Sequence, residues 1–182
     1  MNKPLLLFVG QSGSGKTTAA NYLENHKGYR QLQSYTTRPK RYEDETGHTF
    51  ITNKEFDTLK DIVAYTEYNG FRYGATKEQI DSVDIYVIDI PGVKTLLKKY
   101  STKRPIYVIY FDSTVHTRIE RMIERHDHDA AIVSRLFEDE KYDWINKLKN
   151  IISNSKKKVN LLLIDANKPQ DDVIDQILWY IE

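Results

Sequence analysis

Cysteine is absent from all 182 residues, which excludes disulfides and thiolate chemistry and fits a reducing compartment. An excess of one charge is missing too. The 27 Lys and Arg are balanced by 26 Asp and Glu, leaving a formal net charge of +1. That balance argues against bulk nucleic-acid binding, which favours a strongly basic domain. No apolar run approaches the length of a bilayer span, and the opening "MNKPLLLFVG" is too short for a signal peptide. The expectation is a cytoplasmic protein with neither nucleic acid nor membrane as partner. The length suits one domain, 1–182, with a mobile sub-domain and a sizeable core.

What the chain does have is a series of short apolar runs separated by helical segments. Leu5 to Val9 is continuously apolar and ends in glycine, as a strand buried on both faces would. "DIYVIDI" (Asp84 to Ile90), "PIYVIYF" (Pro105 to Phe111) and "VNLLLID" (Val159 to Asp165) read alike. Thr17 to Leu23 reads as the helix after the first strand. Pro91 suits a first helical position, Ser113 the cap of the helix carrying "VHTRIERMIER", and Pro169 the start of "QDDVIDQILWYI". Strand alternating with helix implies a parallel sheet covered on both faces. Two segments break the rhythm. Ser34 to about Ser82 is rich in Tyr, Thr, Arg and Gly and reads as a loop-and-strand insertion of low stability, suited to moving over a ligand. "ERHDHDAA" (Glu124 to Ala131) is a polar break between helices.

"GQSGSGKT" (Gly10 to Thr17) matches G-x-x-x-x-G-K-[ST] in full, between a strand and a helix. Glycines let successive main-chain N–H groups turn onto phosphate oxygens, and the helix start adds partial positive charge. Gly10, Ser12, Gly13, Ser14, Gly15, Lys16, Thr17 and Thr18 would hold a nucleoside triphosphate. Lys16 would reach its terminal phosphates, and the Thr17 hydroxyl would hold Mg²⁺.

The acceptor needs a separate argument. Asp89-Ile90-Pro91-Gly92 fits the D-x-x-G of a GTPase, yet no N-K-x-D accompanies it. In "SYTTRPKRYEDETGHTF", Arg38 and Arg41 lie close enough for bidentate capture of a phosphate monoester; two solvated arginines offset by Glu43, Asp44 and Glu45 are the plainer reading. In "NGFRYG", Tyr73 would donate its hydroxyl to the same phosphate, or simply belong to a hairpin turn. Arg118, Arg121 and Arg125 share a helix face, where an anion or Glu120 and Glu124 would relieve their repulsion; Arg135 follows the polar break. Together these groups suit in-line transfer between two phosphates, with Lys16, Arg121, Arg125 and Arg135 as the catalytic cations and no general base.

In this order the motifs resemble guanylate kinase, over nearly the whole chain. The carriers are "GQSGSGKT", "SYTTRPKR" with "GHTF", "GFRYG", "DIPGVK", and "RMIER" followed by "SRL". The resemblance implies an α/β, three-layer P-loop kinase fold: core 1–33 and 83–182, a β-rich acceptor-binding insertion at about 34–82, and a short lid at about 124–136. It implies transfer from ATP with Mg²⁺ to a nucleoside monophosphate, GMP or dGMP first, small-molecule nucleotides as partners, and a monomer or homodimer. It puts Ser34, Arg38, Arg41, Tyr73, Asp44 and Asp89 at the acceptor, and the loop at Asp165 to Asn167 beside the adenine. The departures concern base reading. Ala64 stands where the family has a glutamate, Ala75 where it has Ser or Thr, and Phe50 where it has a tyrosine, while "DIPG" shortens a longer acidic motif. Phosphate capture is nearly intact and guanine reading is damaged. A sugar-phosphate kinase of the same build and a non-catalytic guanylate-kinase-like module are the alternatives.

Overall fold

A computed structural model describes residues 3–40, 43–140 and 143–181. Its first sheet is built from β1 (Leu5–Val9), β6 (Ile85–Val87), β7 (Ile106–Asp112) and β8 (Val159–Asp165) in the order β6-β1-β7-β8. Every pairing is parallel, so each connection must cross over a face of the sheet. Continuous apolar runs allow this, because alternate residues serve opposite faces. Leu5, Leu7 and Val9 point into one apolar cluster with Val93, Leu96, Tyr100 and Leu148. Those partners come from α4 (Ile90–Lys99) and α7 (Trp144–Ser153) and the intervening chain. Leu6 and Phe8 point the other way, onto Ala19, Leu23, Ile174 and Ile177 of α1 (Lys16–Lys27) and α8 (Gln170–Ile181). The architecture is the expected α/β sandwich, and all five residues of β1 are fully buried.

The expected strand at Asp84 to Ile90 is shorter than its apolar run. β6 ends at Val87, because Asp89 caps α4 through a 2.7 Å bond from the Gly92 N–H and Ile90 is already helical. Pro91 accordingly falls at the second helical position. α5 (Val115–Glu124) is capped by Thr114, whose side chain accepts from the Thr117 N–H, and not by Ser113. Among the described residues, the buried Ser113 hydroxyl has no hydrogen-bond partner. Pro169 precedes α8 and accepts the Val173 N–H through its carbonyl.

Between Ser34 and Ser82 a second sheet forms, in the order β3-β2-β5-β4, from β2 (Ser34–Thr36), β3 (His48–Phe50), β4 (Ile62–Tyr68) and β5 (Phe71–Thr76). Two short helices, α2 (Asn53–Thr58) and α3 (Lys77–Ser82), begin with capping boxes at Thr52 and Thr76. α4 packs against β4 and fastens the two sheets, with the Thr95 hydroxyl donating to the Tyr65 carbonyl at 3.2 Å. α5 and α6 (Asp129–Glu140) flank the polar break seen in the sequence. Among the described residues, no helix is long and apolar enough to cross a membrane.

Candidate active site

The phosphate loop leaves the end of β1 and enters α1 through two left-handed glycines, Gly13 (φ 78°) and Gly15 (φ 89°). Gly13 is required for space as well, since a Cβ there would lie 2.6 Å from the Arg118 carbonyl oxygen. Gly15 caps α1 without any side-chain hydrogen bond, and the first turn carries no acidic residue. The helix start therefore leaves its amides and its partial positive charge to an incoming anion. Thr17 and Thr18 stand exposed on that first turn.

Lys16 is folded over its own loop. Its ammonium donates to the Gln11 carbonyl at 2.7 Å and to Ser14 Oγ at 3.1 Å. Desolvation pulls its pKa down to about 8, with Asp139 opposing and Arg118 and Arg125 assisting. A cation held this way is ready to trade two neutral acceptors for phosphate oxygens.

The arginine stripe of α5 does not act as one surface. Arg118 is only 1% exposed and pairs with Asp139 of α6 at 3.0 Å. Arg121 is the member beside the loop: its Nη1 lies 3.4 Å from where a Gly15 Cβ would be. Arg125 and Arg135 converge on Asp127, Arg125 through an Nε bond of 3.1 Å and both through Nη bonds to Oδ2. Those bonds hold the Asp127 carboxyl below its usual range. The sequence offered a bound anion, or Glu120 and Glu124, to relieve the stripe; here Asp139 pairs with Arg118 and Asp127 with Arg125.

On the second sheet, Arg38 is sheltered, its side chain 11% exposed. It forms a two-pronged pair with Glu45, at 3.1 and 2.8 Å, and its guanidinium lies 5.3 Å from the Phe50 ring centroid. The hydrogen bonds it donates to Glu45 raise the Arg38 pKa, with a smaller contribution from the Tyr73 phenol. Arg41 lies outside the described residues. Asp44 is exposed, and the neighbouring Glu45 is the carboxylate that reaches the arginine. β2 and β3 pair with Ser34 opposite His48, and Ser34 Oγ shares a 2.9 Å hydrogen bond with His48 Nδ1. The His48 ring meets Tyr73 edge-on, with 5.7 Å between centroids. Ser34, Arg38 and Tyr73 are thus gathered at one place, joined by Glu45, one of the three acids the sequence set against the arginines, and by His48, which sequence reasoning missed. His48 was legible in principle, lying in the polar "GHTF" segment beside Phe50.

The chain leading into this group pairs with β6, the neighbour of β1, through Gln31 and a 2.8 Å bond from the Leu32 N–H to the Ile85 carbonyl. Tyr86 of β6 is buried, which raises its pKa, and hydrogen bonding with Ser34 partly offsets that. Asp89, just after β6, is raised by burial against hydrogen bonds from Gly92 and Thr66. It therefore caps α4 and faces β4 at once. Ala64 and Ala75 oppose each other across β4 and β5 and are fully buried. Glu67, three residues on from Ala64 in β4, is exposed and accepts from the Tyr65 hydroxyl at 3.3 Å. At the far end of the first sheet, Asn167 Oδ1 accepts from the Thr114 N–H at 2.8 Å, tying the Asp165 to Asn167 loop to the start of α5. Among the described residues no three His, Asp or Glu side chains cluster as a metal site.

No family model matches the chain. It is 34% identical over 100 residues to guanylate kinases of Neisseria gonorrhoeae and Neisseria meningitidis serogroup A, a match covering 48% of this chain and 49% of theirs. The chain thus spans about half the length of the curated relatives it matches. A guanylate kinase structure from Anaplasma phagocytophilum superposes with a TM-score of 0.53 at 16% identity, over 98% of this chain and 84% of that one. A deoxyadenosine kinase from M. mycoides with bound dATP gives 0.53 at 12% identity, over 97% and 98%. The resemblance to guanylate kinases is supported by sequence across half of the chain, and the fold across nearly all of it is that of the P-loop kinases.

Proposed function

We propose that the protein is a nucleoside monophosphate kinase that transfers the γ-phosphoryl group of ATP to a (d)NMP, with GMP and dGMP the first candidates. The observation that carries this reading is the adjacency of two anion-binding groups. Bare helix-start amides with Lys16 stand at the end of β1. Ser34, which belongs to the group with Arg38 and Tyr73, meets Tyr86 of β6, the neighbour of β1. The similarity to guanylate kinases over half the chain supports it.

In this reading the loop amides and Lys16 hold the donor's phosphates, and Arg38 exchanges Glu45 for the acceptor's phosphate. Arg121 stands nearest the transferring group, and Arg125 and Arg135 join it when they leave Asp127. An acceptor phosphate oxygen is already anionic near neutral pH, so positioning and charge neutralisation carry the catalysis. Mg²⁺ fits a site of this kind, because it is commonly held by one or two protein ligands plus substrate phosphates and water. Thr17, exposed on the bare first turn, is the residue that would hold it. When bound, the ion would neutralise charge on the phosphates.

One observation favours a second reading. Ala64 and Ala75 offer no polar group to a base, so a sugar phosphate or another phosphorylated small molecule would lose little there. The experiment that separates them is a panel of monophosphates offered with ATP and Mg²⁺, read as ADP formed. GMP or dGMP as the best acceptor supports the first reading; turnover with a sugar phosphate alone supports the second. Absence of any nucleotide binding would instead favour a non-catalytic module.

A further inference from the structure

The proposed reaction makes no use of the carboxylate of Asp139. It lies on α6 beyond the lid segment, and only 8% of the residue is exposed. One oxygen, Oδ2, does two things. It accepts the Ser12 N–H of the phosphate loop at 2.9 Å and a guanidinium N–H of Arg118 at 3.0 Å. The residue's own carbonyl is held as well, by the Trp144 indole N–H at 2.8 Å from the first turn of α7. Arg118 in turn backs the loop with its main chain, its carbonyl oxygen closing the space above Gly13. The loop and α5 therefore meet at one buried carboxylate of α6, and α7 holds the main chain of the same residue.

An apolar pair of similar volume would fill a buried site at least as stably as Arg and Asp. Packing alone does not explain the charges. What the carboxylate supplies, and an apolar side chain would not, is an acceptor for the Ser12 amide. That amide lies in the segment that turns from β1 into the glycines. We infer that Asp139 is a positioning residue of the phosphate loop: by holding the Ser12 N–H, it fixes the first half of the loop in its anion-binding shape and ties the end of α6 to it. It acts through Ser12 and sets affinity for the nucleotide donor. The grip of Trp144 on the same residue marks this point as the fixed end of the lid, not a latch that swings. The inference rests on the loop's being a nucleotide site.

The test is calorimetric titration of ADP with Mg²⁺ into the full chain and two double variants, each also followed by thermal unfolding. Arg118→Met with Asp139→Asn removes both charges but keeps an amide oxygen for Ser12. Arg118→Met with Asp139→Leu removes the charges and the acceptor. Each removes a cation together with the carboxylate and leaves Lys16 its Gln11 and Ser14 acceptors, so both are expected to unfold cooperatively. The first is expected to bind ADP within about twofold of the parent, and the second about tenfold more weakly, the scale of one charge-assisted hydrogen bond. Parental affinity in the Leu variant overturns the inference, as Asp139 would then merely neutralise Arg118. Tighter binding in either variant also overturns it, since the carboxylate would then be competing with phosphate. A parent chain that binds no ADP overturns the nucleotide site itself, and this inference with it.

Discussion

Lys16 carries the largest burden of any single side chain. Desolvation lowers its folded pKa to about 8 from an ordinary 10.5. Above about pH 8 the folded protein sheds this proton while the unfolded chain keeps it. The group's contribution to stability therefore rises with pH across that window. A bound polyphosphate reverses the bias by favouring the ammonium. Titration of ADP with Mg²⁺ in buffers of different ionisation enthalpy is expected to show proton uptake at about pH 8.5 and none at about pH 6.5; equal heats at the higher pH would contradict the assignment. Lys16→Ala is expected to lower kcat by roughly 10² to 10³-fold, the scale of losing one preorganised donor. Arg38→Ala is expected chiefly to raise KM for the acceptor, because its fork is placed for the ground-state phosphate. Steady-state kinetics on both variants separate the two roles. The loop residues were legible in the sequence because their chemistry is local: glycines, lysine and threonine within eight positions. Asp127 and Asp139 were not, because what makes them matter is which arginine the fold brings to them. Glu45 was visible in the sequence, but only as one of three acids, with nothing there to prefer it over Asp44.

At the scale of elements, the strands could be read from buried apolar runs, and β1 and β8 fall where those runs do. The ends were harder. β6 stops early because Asp89 captures an amide of the next turn, a side-chain bond that an apolar pattern does not display. Ser113 and Thr114 are both plausible caps in sequence; the backbone settles on Thr114 and buries the Ser113 hydroxyl unpaired. Urea denaturation is expected to show Thr114→Ala destabilised by about 1 kcal/mol. Ser113→Ala is expected to be neutral or stabilising, since it removes a buried unpaired hydroxyl. The reverse order would contradict the capping. Gly13→Ala places a methyl group against the Arg118 carbonyl at a left-handed backbone angle. It is expected to cost about 2 kcal/mol by the same measurement and to weaken ADP binding.

Taken whole, the molecule sets a small mixed sheet against a parallel one, with α4 fastened to both. The parallel sheet was legible because four apolar runs alternate with helical patterns. The second sheet was visible only as a break in that rhythm, since its strands are short, half-exposed and rich in polar residues. What the sequence showed of acceptor choice was a loss, and the burial of Ala64 and Ala75 gives that loss a place without naming a replacement. The claim on which everything else depends is that two anions are held at once, on either side of β6, for direct transfer between them. Phosphorus-31 NMR of ATP and Mg²⁺ with the protein, run with and without a monophosphate such as GMP or dGMP, tests it most directly. The γ-phosphoryl group is expected to appear on the acceptor as a diphosphate, with little inorganic phosphate released in either sample. Release of inorganic phosphate at the same rate whether or not any phosphorylated acceptor is present would contradict it.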